Sequence, residues 1–159
     1  MPERIRKRPK IGDIIEINTP KGLAYAQYTH KHDKPPKYGA LLRIFPGFHK
    51  ARPNDFSKIV TLDPQFMTFF PLGAACNRGM VKIVANTEVP GVAAKFPVFR
   101  TGTPNKEGRV EVWWLWDGEK EWKIGRLKPG MEKYPIRGVW NDALLIKRIS
   151  EGWNHMNFI

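Results

Sequence analysis

The chain has 159 residues, one cysteine and a net charge of +12, from 27 Lys/Arg against 15 Asp/Glu. A single cysteine, Cys76, excludes an internal disulfide, and no apolar run approaches the ~20 residues of a membrane-spanning helix. The opening MPERIRKRPK carries charge with no apolar run behind it, which is not the pattern of a secretory signal.

The expectation is a soluble, cytoplasmic protein that does not engage a membrane. Its length suits one domain, able to bury about 70% of its unfolded surface. The charge is uneven. Residues 1–52 hold 12 Lys/Arg against 4 Asp/Glu, and residues 53–159 hold 15 against 11. Such a balance attracts polyanions or an acidic partner, or simply keeps the protein soluble.

Residues 1–10 read as a flexible basic arm and residues 11–159 as a single mainly β domain. The stretch Ile11–His32, IGDIIEINTPKGLAYAQYTHKH, reads as strand, turn and longer strand. Its four isoleucines are β-branched and suit a pleated, half-buried surface. Beyond Pro20 and Gly22, alternation places Ala24, Ala26, Tyr28, His30 and His32 on one face. Leu23, Tyr25, Gln27, Thr29 and Lys31 fall on the other. The small Ala24 and Ala26 imply another element lying close over their face.

Lys31–Lys37, KHDKPPK, is a loop, since Pro35 and Pro36 cannot donate to a ladder. Gly39–Phe45 is the third strand. Phe48–Ser57 is irregular, with Asn54 a candidate cap. Lys58–Leu62 reads as a short fourth strand and Phe66–Leu72 as an aromatic one, ended by Pro71. Gly73–Gly79 is a connection and Val81–Ala85 a strand. Thr87–Pro97 is a loop, Val98–Arg100 pairs briefly, and Thr101–Gly108 is turn-rich.

Val110–Trp116 before Asp117-Gly118, with a return over Glu121–Leu127, is the strongest hairpin signal. Lys128-Pro129-Gly130 suits a type II turn. Asn141–Ile149 admits two readings. Asn141 or Asp142 could cap a helix carrying Leu145 and Ile149 at i, i+4, while the solid run Ala143–Ile146 suits a buried strand. The β context favours the strand. The expected fold is therefore mainly β: an antiparallel barrel-like or sandwich domain, open to SH3-like elements, with short helical turns.

Chemistry is sparse. His30 and His32 could begin a metal site, but no third ligand stands at a diagnostic spacing and Lys31 and Lys34 would repel a cation. Cys76 lacks a catalytic signature. Asp117, Glu119 and Glu121 sit at a hairpin tip, where carboxylates are solvated. Enzyme is the weakest class, and no cofactor is expected. Four tryptophans, Trp113, Trp114, Trp116 and Trp122, cannot all face water. One hairpin face is core, and the other is second-layer packing or an aromatic patch able to anchor a protein or stack bases. Packing is favoured.

Three stretches together resemble the immunity protein 26 family of bacterial polymorphic toxin systems. They are KIGDIIEINTPKGLAYAQYTH near the start, VEVWWLWDG followed by IGRL, and the closing GVWNDALLIKRISEG. They cover about half the chain and consist of glycines, tryptophans and strand residues. The resemblance implies a small β protein without enzymatic activity, which binds a cognate toxin domain and neutralises it by steric occlusion. It supplies no catalytic residues. The candidate contact surface is the Lys31–Tyr38 loop, with Tyr28, His30, His32, Lys34, Lys37 and Tyr38, plus whichever of Trp113 and Trp116 is exposed. The alternative is a nucleic-acid-binding β-barrel using the same loop and the arm. Oligomeric state is not legible from the pattern.

Overall fold

The structure, a computed structural model, describes residues 8–157. Most of the basic arm, residues 1–7, lies outside the described residues. The chain forms two antiparallel sheets. The larger has the order β4-β3-β2-β1-β5, from β1 (Asp13–Thr19), β2 (Gly22–His32), β3 (Gly39–Ile44), β4 (Phe66–Phe70) and β5 (Val81–Asn86). The smaller has the order β6-β7-β8, from β6 (Phe99–Thr101), β7 (Trp113–Trp116) and β8 (Glu121–Gly125). Among the described residues no ladder closes either sheet into a barrel.

β1 lies between β2 and β5. Ile15 and Ile17 point to one face with Ala24, Ala26 and Tyr28 of β2. As the small alanines predict, helical elements lie over this face: α1 (Leu72–Asn77) and α3 (Asp142–Ser150). Gly12 makes the approach to β1 feasible. Its φ is +95°, and a Cβ there would stand 2.7 Å from Thr87 O, so only glycine fits.

Three readings need correction. Asn141–Ile149 is helix α3, not a strand. Asn141 Oδ1 accepts from the Leu144 N–H at 2.8 Å, and Leu145 and Ile149 bury one stripe in the core. The closing stretch of the family resemblance is thus a helix too. Lys58–Leu62 is not a strand either. Its bonds are local, including Val60 N–H to Phe56 O and Leu62 N–H to Ile59 O, so Ile59–Thr61 is a 3-10 turn. That turn plugs Ile59 and Val60 into a second core cluster with Ile14, Tyr25 and Phe56. Its entry is set by Asp55, which accepts from the Ser57 N–H and hydroxyl. Gly73–Gly79 is mostly helix, α1, which takes Leu72 from the expected strand and buries Leu72, Ala75 and Cys76 at helical spacing. The Thr87–Pro97 loop holds one helical turn, α2 (Gly91–Ala94).

The second sheet has one face packed and the other only partly covered: Trp113, Leu115 and Trp116 are buried, while Trp114 and Trp122 stay exposed. Phe99 and Trp116 pack on Leu41 and Phe69 of the first sheet. On the opposite face Arg100 lies under the Trp113 ring, with its guanidinium carbon 4.6 Å from the ring centre. Arg100 has no exposure and donates to the Tyr134, Glu132 and His155 carbonyls. Burial lowers its pKa to about 10. It straps β6 to the C-terminal segment. Among the described residues no helix is long and apolar enough to cross a membrane.

Candidate functional site

A β-bulge builds the site. Tyr28 pairs with Leu42 and His30 with Leu41, so Thr29 is the extra residue on β2. One added residue turns every later side chain over. His30 and His32 therefore leave the face of Ala24 and Tyr28 that simple alternation gives them, and join the face of Leu41. There the second sheet waits.

His32 is 6% exposed and sits in an aromatic cluster with Tyr38, Phe69, Phe96 and Trp116. Its ring reads unambiguously. Nε2 stands 3.0 Å from the Gly118 carbonyl, which can only accept, so Nε2 carries the proton. Nδ1 then accepts the Tyr38 N–H at 3.3 Å. One imidazole joins the basic loop to the tip of the β7–β8 hairpin. His30 does the same for α2. Its Nε2 donates to Ala94 O at 2.8 Å, and its Nδ1 lies 3.0 Å from the Thr29 hydroxyl.

The loop itself is a tight turn, with the Lys37 N–H donating to Lys34 O at 2.6 Å and a cis Pro35–Pro36 bond within it. Lys37 is the described non-glycine residue with a positive φ, +56°. Lys34 pairs with Glu119 of the hairpin tip and Lys31 with Asp33 at 3.7 Å. Lys37 has no acidic partner among the described residues. The tip is ordered by Asp117, whose carboxylate accepts the Lys120 and Glu119 N–H groups at 2.8 and 3.0 Å. Those amides hold its carboxyl below the usual range. A cleft of about 350 Å³ separates loop and tip, lined by Lys31, His32, Asp33, Lys34, Phe96 and Glu119 among others.

The candidate contact residues thus divide. Lys34 and Lys37 are exposed, and His30 and Tyr38 are half-buried. His32 and Trp116 are the packing beneath them, their rings 4.9 Å apart. Tyr28 is buried on the other face of the sheet among the core residues. Trp113 is 2% and Trp116 5% exposed, so neither is the exposed tryptophan of the hairpin; Trp114 and Trp122 are. Sequence reasoning missed Asp117 and Glu119 as members of the loop surface. It placed them at an acidic hairpin tip, but nothing local brings that tip to the loop.

Cys76 is buried on α1, and burial pushes its thiol up to about 11, which leaves it protonated at neutral pH. Among the described residues no three His, Cys, Asp or Glu side chains gather as metal ligands. Comparisons with protein-family models, curated proteins and solved structures give no match to this chain.

Proposed function

We propose that this chain is a non-enzymatic immunity protein that binds a cognate bacterial toxin domain through the loop–hairpin surface and occludes it. The family resemblance supplies the class. One observation carries the choice of a protein partner over nucleic acid: the basic loop is interleaved with carboxylates. Asp33, Asp117 and Glu119 stand among Lys31 and Lys34, with Lys37 exposed further along the loop. Phosphate backbones favour clustered cations and are repelled by such carboxylates. A mixed-sign patch instead suits the charge complementarity of a protein interface. Because the local surface is not uniformly positive, it also limits the repulsion that a +12 protein would exert on a basic partner.

Rigidity supports the same reading. The loop is held from beneath by His32 and the aromatic cluster, so less side-chain and backbone freedom is lost on binding. The test is retention of a protein partner from native cells by the wild type, by Lys37→Glu and by Lys82→Glu on the exposed side of β5. Loss of the partner with Lys37→Glu alone supports the loop surface. Equal retention by all three removes it.

A further inference from the structure

Between the 3-10 turn and α2, the face of the first sheet is left uncovered over a cleft of about 610 Å³. Its walls are apolar: Val60 and Leu62 from the turn, Met67 from β4, and Phe96 and Val98 beyond α2. That volume suits a small organic ligand. One charged group belongs to its floor. Arg43 is 4% exposed and lines the cleft.

The donors of Arg43 can be counted. Nε and Nη2 donate to Gln27 Oε1 at 3.0 and 2.8 Å, and Nη2 donates again to Val60 O at 2.6 Å. That occupies three of five N–H groups. The two on Nη1 have no protein acceptor among the described residues. The described buried side-chain nitrogen that is both sealed from solvent and unpartnered is Arg100 Nη1. Arg43 Nη1 is therefore still accessible, and the cleft is the surface Arg43 lines. No ion pair joins Arg43 to any described carboxylate, including Asp63 at the rim, where Lys95 and Lys133 also stand. Burial alone lowers its pKa, with no neighbouring carboxylate acting against it.

A buried cation is ordinarily paired with an anion. We infer that this cleft binds a small organic carboxylate with an apolar body, the carboxylate resting on Arg43 Nη1 and the body on Val60, Met67 and Phe96. The site is separate from the loop's charged surface and borders it at His30 and Phe96. It goes beyond toxin binding, and either can fail without the other.

Octanoate and 1-octanol are the probes, titrated into the intact protein at neutral pH and followed by amide NMR. Octanoate shifts the amides of Thr29, Arg43, Met67 and Phe96 and binds roughly ten-fold or more tightly than octanol, because only the carboxylate takes a charge-assisted hydrogen bond. Arg43→Met abolishes that preference. Should Arg43→Met fail to fold, Ala93→Trp, at a half-buried position on α2 itself, weakens both probes roughly ten-fold by filling the space. Equal affinity for the two probes in the wild type overturns the inference. So do octanoate shifts confined to exposed lysines, or unimpaired octanoate binding by Ala93→Trp.

Discussion

The His32 imidazole meets the Trp116 indole edge-on, with ring centres 4.9 Å apart. This contact, with the bond from His32 to Gly118 O, docks the end of β2 on the hairpin tip. Replacing His32 with Phe keeps the ring and deletes both its hydrogen bonds. The expected cost is about 1–3 kcal/mol, since the buried partners are left unmet. Amide exchange at Tyr38, whose N–H loses its acceptor, accelerates. Unchanged exchange there would show that His32 does not hold the loop.

Lys37 occupies the left-handed region, where a side chain is strained and glycine is not. Lys37→Gly is expected to leave stability unchanged or raise it by up to about 1 kcal/mol, read by urea titration. It should weaken partner binding at the same time. A residue kept against its backbone preference is a pointer to contact rather than to folding. A Gly variant that binds as the wild type does would return Lys37 to the ordinary surface.

Glu16 is 6% exposed and accepts from Arg52 Nε at 2.7 Å and Nη2 at 3.1 Å, and from the Tyr25 hydroxyl at 2.9 Å. The Arg52 bond is the main reason its carboxyl is held below the usual range, against its own burial. The folded carboxyl therefore binds its proton less readily than the unfolded one. The pair's contribution is present above the unfolded value, about 4.3. It is lost as pH falls through the folded value. Because Arg52 is half-exposed, Arg52→Ala is expected to cost only about 1–2 kcal/mol at neutral pH. Denaturation curves should converge with those of the wild type in acid.

His155 gives a separate acid dependence. Burial drives its pKa down to about 3, with the Arg100 cation adding to the effect. The Met67 N–H faces Nε2 at 3.0 Å and the Ile136 N–H faces Nδ1 at 3.2 Å. A neutral ring can accept from one of these two, and a charged ring from neither. The unfolded state thus binds more protons between about pH 6.5 and pH 3, and stability falls as pH drops through that window. Between pH 7 and pH 5 the loss is about 2 kcal/mol at most. His155→Gln, which cannot titrate, should flatten that slope while lowering stability at pH 7. An unaltered slope would place the acid sensitivity elsewhere.

The β1–β2 hairpin is legible in the sequence because β-branched residues and small alanines alternate over a long run. The hairpin at Asp117-Gly118 is legible from its turn residues. Helix α3 is misread because the run Ala143–Ile146 masks the i, i+4 pair Leu145 and Ile149. The Asn141 cap was the better signal. The destination of His32 is hidden twice. The bulge at Thr29 reverses its face, and the carbonyl it donates to lies 86 residues away in the chain. Local alternation carries neither fact. Arg43 left a trace as the one charge in the apolar stretch GALLRIF, but its missing acidic partner is a property of the packed sheet.

On the proposed function, the loop–hairpin surface receives a protein and not a polyanion. The most direct test is capture from native cells on immobilised wild-type protein, with and without nuclease, eluted in steps of salt. A stoichiometric protein that withstands nuclease and about 0.5 M salt is predicted, because aromatic and paired contacts outlast the screening of exposed charges. Nucleic acid leaving below about 0.2 M salt, with no protein behind it, would overturn the protein-binding role and identify the chain as a polyanion-binding β protein.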